Sequence, residues 1–186
     1  MQQTMQCIHP TCRHVHESVE EKFHSLHVPV RTEGGELLHS VQAALDAHMP
    51  SSLVGYDMIC GGCGGIGPQW HKVDNSTSLP RVLLVTLVRW ANHFDEAALL
   101  HPVEATEHID FRGGRFSLCA VVVHLGASPK SGHYITVARH RTRDAVWWLY
   151  DDERRIIATP EEVATTCEYR SHGQMQSYVL LYETMD

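Results

Sequence analysis

The run SGHYITVARHRTRDAVWWLYDD, Ser131 to Asp152, carries an imidazole near one end and two carboxylates at the other. Two apolar, alternating stretches, GHYITVARH and AVWWLYD, flank the polar turn HRTRD, the pattern of an antiparallel hairpin. A hairpin symmetric about Thr142 sets His133 opposite Asp151, Ile135 opposite Leu149 and Val137 opposite Trp147. Directly opposed residues share a face of the sheet. A carboxylate that accepts a hydrogen bond from one imidazole nitrogen fixes the tautomer and leaves the other nitrogen to activate a nucleophile. A slip of one residue would exchange Asp151 for Asp152, so the pattern favours Asp151 without deciding it. Asp144 lies in the turn, too far along the hairpin. Gly132 fits a bend or a close backbone approach just before the histidine. On pattern alone, a strand-end histidine beside an incidental acid is the commoner arrangement.

A second constellation is built of sulfur. Cys7 and Cys12 form C-x4-C, and Cys60 and Cys63 form C-G-G-C within ICGGCGGIG. Two cysteine pairs on separate tight turns are the usual donors of a closed, tetrahedral structural zinc site. Gly61, Gly62, Gly64 and Gly65 let the chain fold closely around an ion. The first spacer is unusually long, and His9 or His14 could replace one thiolate. Cys119, in an apolar run, and Cys167, in PEEVATTC, read as small buried hydrophobes.

The elements that must position these groups point to an α+β fold: an antiparallel sheet with few helices and an N-terminal metal-binding appendage. RVLLVTLVRW, Arg81 to Trp90, is a continuous apolar run and reads as a buried strand. FSLCAVVVHLG, GHYITVARH, AVWWLYD, RRIIAT and QSYVLLYET read as strand after strand. Phe23, Leu26, Val28 and Val30 suggest a further extended run. Leu38, Val41, Leu45 and Met49 recur at helical spacing, which predicts a helix over 37–49 stopped by Pro50. Pro160 can open a short helix in PEEVATTC. The stretch ANHFDEAALLHPVEATEHIDFRGG reads as loop with at most short elements.

Composition sets outer bounds. The chain of 186 residues suffices for one ordinary domain or two small lobes. A formal net charge of −7 argues against general nucleic-acid binding. No apolar run approaches the length of a membrane span, and the opening MQQTMQCIHPTCRH is not a secretory signal. Six cysteines without such a signal suggest cytosol or nucleus, and metal before disulfide.

FSLCAVVVHLGASPKSGHY, Phe116 to Tyr134, resembles the histidine box of the ubiquitin-specific proteases, the ubiquitin carboxyl-terminal hydrolases of peptidase family C19. The matching positions are Phe116 (where the family has Tyr), Leu118, Ala120, Val121, His124, Gly126 and Gly132-His133-Tyr134. SLPRVLLVTLVRW is similar to the family's Leu-Pro strand, with Trp90 in place of Phe. WWLYDD is similar to the strand bearing the third triad member, at Asp151, and QSYVLLYE to the closing strand.

The resemblance implies a partial papain-like, cysteine-protease fold with a fingers segment over about 1–78, including the helix, and a palm over about 79–186. It implies a deubiquitinase that cleaves isopeptide or peptide bonds after the C-terminal glycine of ubiquitin, with ubiquitin and ubiquitinated proteins as partners. His133 becomes general base and then acid, Asp151 its orienter, and Ser131, Gly132 and Tyr134 substrate contacts. The loop LGASPKSG, 125–132, would border the channel for the ubiquitin tail as a mobile gate. Cys7, Cys12, Cys60 and Cys63 become the structural Zn2+ ribbon of the fingers, although the family usually has two C-x2-C pairs.

The family's cysteine box, Asn-Thr-Cys at a helix start, has no counterpart here, and none of the six cysteines has that context. The chain is therefore expected to be inactive alone. Two alternatives remain open: a ubiquitin-binding module without catalysis, and a zinc-stabilised interaction domain without affinity for ubiquitin.

Overall fold

The structure, a computed structural model, describes residues 2–7, 9–12, 14–20, 24–48, 53–54, 59–65, 70–74, 79–89, 101–128, 131–141, 143–159, 162–163 and 175–185. The chain divides into two compact units, one of Met1–His24 and Met49–Leu79, the other of Ser25–His48 and Pro80–Asp186.

The first unit is a four-stranded sheet. Strands β1 (Gln2–Cys7) and β2 (Val15–Glu20) form an antiparallel hairpin with the first cysteine pair at its tip. After β3 (Leu26–Pro29) and helix α1 (Val41–His48) in the other unit, β4 (Leu53–Val54) and β5 (Trp70–Asp74) complete the order β2-β1-β5-β4. Sequence reading found the cysteines but not these strands. QQTMQC, VHESVE and WHKVD lack a clean apolar alternation, and their order comes from pairing with one another.

The second unit is an eight-stranded sheet. It adds β6 (Val82–Val88), β7 (His108–Phe111), β8 (Gly114–Ser128), β9 (Ser131–His140), β10 (Arg143–Asp151), β11 (Arg154–Ile157) and β12 (Met175–Thr184). The order is β11-β10-β9-β8-β12-β6-β3, with β7 pairing β8. All pairs are antiparallel except β3 with β6, so the expected antiparallel sheet is mixed at that edge. One face is the core: Leu83, Val85 and Leu87 of β6, Val121 and Val123 of β8, Val137 of β9 and Leu180 and Tyr182 of β12 are buried. The period-two alternation of these strands places them together.

Helix α1 starts at Val41, four residues later than predicted. Leu38 belongs to the preceding segment, where its amide bonds the Val30 carbonyl. Ser40 is the cap, its hydroxyl accepting from the Ala43 amide at 3.1 Å, and Val41, Ala44 and Leu45 form the buried stripe. Gln42 joins α1 to β7 by donating to the Asp110 carbonyl and accepting from the Asp110 amide. Residues 25–48 belong to the unit of the eight-stranded sheet: β3 pairs with β6, and α1 packs on β3 and β7.

Arg89 follows β6 and is fully buried. Its Nε donates to the Ser177 carbonyl at 2.8 Å, one terminal nitrogen to the His101 carbonyl at 3.0 Å, and the other to the Ser177 hydroxyl. It ties the 101–103 segment to β12. Of PEEVATTC, only Glu162 and Val163 lie among the described residues. Both are helical, and Thr159 and Glu162 exchange capping bonds with each other's amides. Phe23, Met49, Pro50, Trp90, Thr142, Pro160 and Cys167 lie outside the described residues.

Candidate functional site

The hairpin of β9 and β10 forms, but not in the symmetric register. His140 pairs Arg143 at the tip. A bulge between Arg143 and Trp147 then absorbs extra residues of β10, so that Val137 faces Leu149 and Arg139 faces Trp147. The pairing is offset by two residues from the expected Ile135–Leu149 and Val137–Trp147. Two is the side-chain period of a strand, so the offset keeps every side chain on its expected face. His133 and Asp151 become diagonal rather than directly opposed neighbours, a separation that long side chains still span.

They meet. His133 Nε2 lies 2.5 Å from Asp151 Oδ1, and the two side chains are 42% and 41% exposed. The imidazole therefore turns its other nitrogen, Nδ1, away from the carboxylate. Asp152, which the pattern could not separate from Asp151, is exposed in the β10–β11 turn at a φ of 49°. The hydrogen bond to Asp151 raises the His133 pKa above the ordinary imidazole value. Partial desolvation opposes this, and the charges of Asp152 and Asp151 add to the rise. Sequence reading gave Asp152 no such electrostatic role; its position one residue beyond the hydrogen-bonding carboxylate was the available signal.

Ser131 and Gly132 are exposed at the start of β9, and Tyr134 is 48% exposed on its next turn of the pleat. Tyr134 packs against His124 of β8, with ring centroids 4.8 Å apart, and against Tyr178 of β12. The predicted loop 125–132 is mostly strand: β8 continues to Ser128 and β9 resumes at Ser131, with a register shift between Leu125 and Ser128. Gln176 of β12, fully buried, donates to the Gly126 carbonyl at 2.9 Å and holds that irregularity in place. Paired strand ends, with Ser128 opposite Ser131 and Leu125 opposite His133, therefore lead into the histidine.

Cys119 is half-buried in β8 and donates its thiol hydrogen to the Leu181 carbonyl at 3.2 Å. Burial and the charge of Glu183 push the thiol up to about 11 against the pull of Arg139. It stands six residues along the strand from Leu125, the cross-strand partner of His133, a distance of roughly 20 Å at strand rise. It cannot serve that histidine as a nucleophile.

In the other unit, Cys7, Cys12, Cys60 and Cys63 converge, their sulfurs all within 4.8 Å of one another. Cys7 and Cys63 sulfurs are 3.9 Å apart and Cys12 and Cys60 sulfurs 3.6 Å apart. Zinc–sulfur bonds of ~2.3 Å in a tetrahedron set sulfur–sulfur edges of ~3.8 Å, so the spacing is that of a zinc tetrathiolate and far too long for disulfides. The long first spacer is accommodated by the β1–β2 hairpin: Cys7 bonds the His14 carbonyl and Cys12 the His9 carbonyl through their amides. Neither His9 nor His14 joins the donor set. His9 Nδ1 bonds the Thr11 hydroxyl, and the His14 side chain packs on Gly62. A Cβ on Gly62 would lie 2.7 Å from His14 Cβ and 3.2 Å from Cys12 Sγ, so this turn admits only glycine.

The thiols differ sharply in acidity. Burial pushes Cys60 up, but bonds from the Cys63 and Gly62 amides and from the neighbouring thiols outweigh it and bring it down to about 7. A bond from the His9 backbone pulls Cys7 down, but burial and the thiols of Cys60, Cys12 and Cys63 carry it up to about 12. Four thiols this close cannot all ionise unless a cation compensates them. The residues fit zinc, and four protein sulfurs close its coordination, which makes the ion structural.

The family model described as ubiquitin carboxyl-terminal hydrolase matches residues 1–182. The chain belongs to this family. Ubiquitin carboxyl-terminal hydrolase 9 of Saccharomyces cerevisiae is 26% identical over 186 residues, covering 93% of this chain and 24% of the yeast protein. Ubiquitin carboxyl-terminal hydrolase 4 of Arabidopsis thaliana is 35% identical over 83 residues, 42% of this chain and 21% of that protein. The solved SAGA Ubp8/Sgf11/Sus1/Sgf73 DUB module bound to ubiquitin aldehyde superposes with a TM-score of 0.74 at 18% identity, over all of this chain and 40% of the matched one. That likeness establishes the fold. The chain spans about a quarter of the hydrolase family members named above and two-fifths of the solved structure. Among the described residues, no helix is long and apolar enough to cross a membrane.

Proposed function

We propose that this chain carries the base-bearing part of a cysteine-type deubiquitinase, and that by itself it is a ubiquitin-binding module that does not hydrolyse. The observation that carries the reading is the half-exposed His133–Asp151 pair. Asp151 accepts the Nε2 hydrogen, which leaves the lone pair of the neutral ring on Nδ1, turned away from the carboxylate. Nδ1 is then the atom that takes the proton of an incoming thiol and later returns it to the leaving amine of a ubiquitin isopeptide. The resulting imidazolium is stabilised by Asp151 and, at longer range, Asp152. A purely structural interaction domain has no use for such a pair at its surface.

The thiol is not supplied by the described cysteines. Four engage one another, and Cys119 lies far along β8 with a raised pKa. By family resemblance it would come from an Asn-Thr-Cys helix start. Ser131, Gly132 and Tyr134 flank the base and are the residues we assign to the extended glycine-rich tail of ubiquitin. The zinc, when bound, holds the two cysteine turns together and takes no part in the reaction. Cytosol or nucleus is the compartment this reading implies.

Titration calorimetry of the zinc-loaded chain with ubiquitin, alongside a fluorogenic ubiquitin C-terminal amide assay, tests the proposal. Saturable binding without turnover is expected. Turnover that survives His133→Ala refutes the assignment of the base, and absence of binding at high micromolar ubiquitin leaves only the interaction-domain reading.

A further inference from the structure

His133 is mounted on an unusual piece of backbone. Its cross-strand partner is Leu125, and the β8–β9 register slips just beyond, between Leu125 and Ser128. Gly132, the residue before it, has a φ of 156°. A Cβ built on Gly132 overlaps His124 Nε2 outright, lies 2.9 Å from His124 Cε1 and 2.8 Å from the Leu125 carbonyl. A Cβ on Gly126 would stand 2.7 Å from the Ser131 carbonyl and 2.9 Å from His124 Cε1. Neither glycine has room for a side chain, and both are closed off by the same imidazole.

That imidazole is buried, 2% exposed. His124 pairs with Tyr134 across the strands, whereas Leu125 pairs with His133. His124 therefore lies on the face opposite the base and behind it. Burial lowers its pKa and a bond to the Ser131 backbone works the other way. Near neutral pH it is an uncharged ring bonded to the residue two before the base. Tyr134 covers it from the open side. Behind it, Gln176 fixes Gly126 through the carbonyl bond.

We propose that His124 is a positioning residue for His133: its ring fills the space that Gly126 and Gly132 vacate, and it fixes the Ser131–Gly132 backbone so that His133 reaches Asp151. The bond between base and orienter is diagonal across the strands and has little slack. A shift of about 1 Å in the backbone at Gly132 is enough to break it. The proposal rests on reading His133 as the base, but its test does not require catalysis.

The test is the titration of the His133 imidazole in the zinc-loaded chain, followed by long-range proton–nitrogen NMR and assigned by the signal lost in His133→Gln. Asp151→Asn gives the benchmark for a base without its orienting carboxylate. His124→Ala is expected to move the His133 midpoint from the native value toward that benchmark, with one zinc per chain retained. Gly132→Ala is expected to do the same. Its loss in melting temperature should be smaller in the His124→Ala background, because the ring it collides with is gone. Should His124→Ala not fold, His124→Asn carries the same expectation, since its shorter side chain keeps neither the ring over Gly132 nor a donor at the Nε2 position. A native His133 midpoint in a folded His124 variant overturns the proposal. So does an equal cost of Gly132→Ala in both backgrounds. Failure to bind ubiquitin, with these titrations as expected, overturns only the proposed function.

Discussion

Replacing Arg89 by methionine removes the guanidinium and keeps most of the apolar stem. In the native protein the guanidinium serves two backbone carbonyls, Ser177 and His101, and the Ser177 hydroxyl, in a fully buried position. The hydroxyl retains a partner because it donates to the Val103 carbonyl at 3.1 Å. Among the described residues, the two carbonyls are what the substitution strands. A buried acceptor left unsatisfied costs about 1–3 kcal/mol, so Arg89→Met should destabilise the sheet unit by about 4 kcal/mol. That is a large part of the roughly 5–15 kcal/mol that holds a typical domain folded. At about 2–4 °C per kcal/mol for a chain of this size, the melting temperature should fall by roughly 8–16 °C. Arg89→Lys should recover only part of this, because one ammonium cannot reproduce the planar fork. Urea unfolding followed by tryptophan fluorescence and far-ultraviolet circular dichroism measures both. A loss below about 1 kcal/mol for Arg89→Met, with an unchanged m-value, would show that Arg89 does not hold the 101–103 segment to β12.

Other outcomes follow from the same geometry. Tyr182→Phe removes the hydroxyl's neutral bond to the Thr106 carbonyl and should cost about 1 kcal/mol in the same urea assay, well below Arg89→Met. The chain should bind one zinc by atomic absorption; Cys63→Ser should lower that affinity, and Gly62→Ala should do so without replacing a ligand, by crowding His14 and the Cys12 sulfur, read by competition with a chromogenic chelator. The raised pKa of His133 means that its pair with Asp151 stabilises the fold fully below the unfolded imidazole value of about 6.5 and loses that contribution as pH rises through the folded midpoint. The urea midpoint of Asp151→Asn should therefore fall further below the native one at about pH 5.5 than at about pH 8.5; an equal gap at both would contradict the pairing. Leu45→Ala, at a fully buried position of α1, should cost about 2–5 kcal/mol by thermal or urea unfolding.

Much of the sheet was legible because its strands are locally unambiguous. The runs VLLVTLV, LCAVVV and YVLLY are too apolar and too rich in β-branched residues to lie anywhere but in a buried sheet, and they became β6, β8 and β12. The helix was legible from Val41 and Leu45, but its start was not. Leu38 has the helical spacing, yet its amide is taken by the carbonyl of Val30, in the extended segment just before it. The strands β1, β2 and β5 were hidden because nothing in their local pattern selects a strand; each other's backbones select it. Arg89 stood in plain view in RVLLVTLVRW, with no local sign that it would be buried on β12.

The sequence by itself determined which groups are present and on which side of their strands they lie: His133 with Asp151 on one face, four cysteines on two turns. Side-chain alternation is a local property of the backbone, and it survived the two-residue offset in register. Tertiary structure alone decided the rest. It chose Asp151 over Asp152 as the acceptor, Nε2 as the nitrogen that donates, and four sulfurs without histidine as the metal donors. The first two choices depend on the bulge between Arg143 and Trp147, which the local pattern does not encode, and the third on cysteine turns that meet from positions 48 and 56 residues apart.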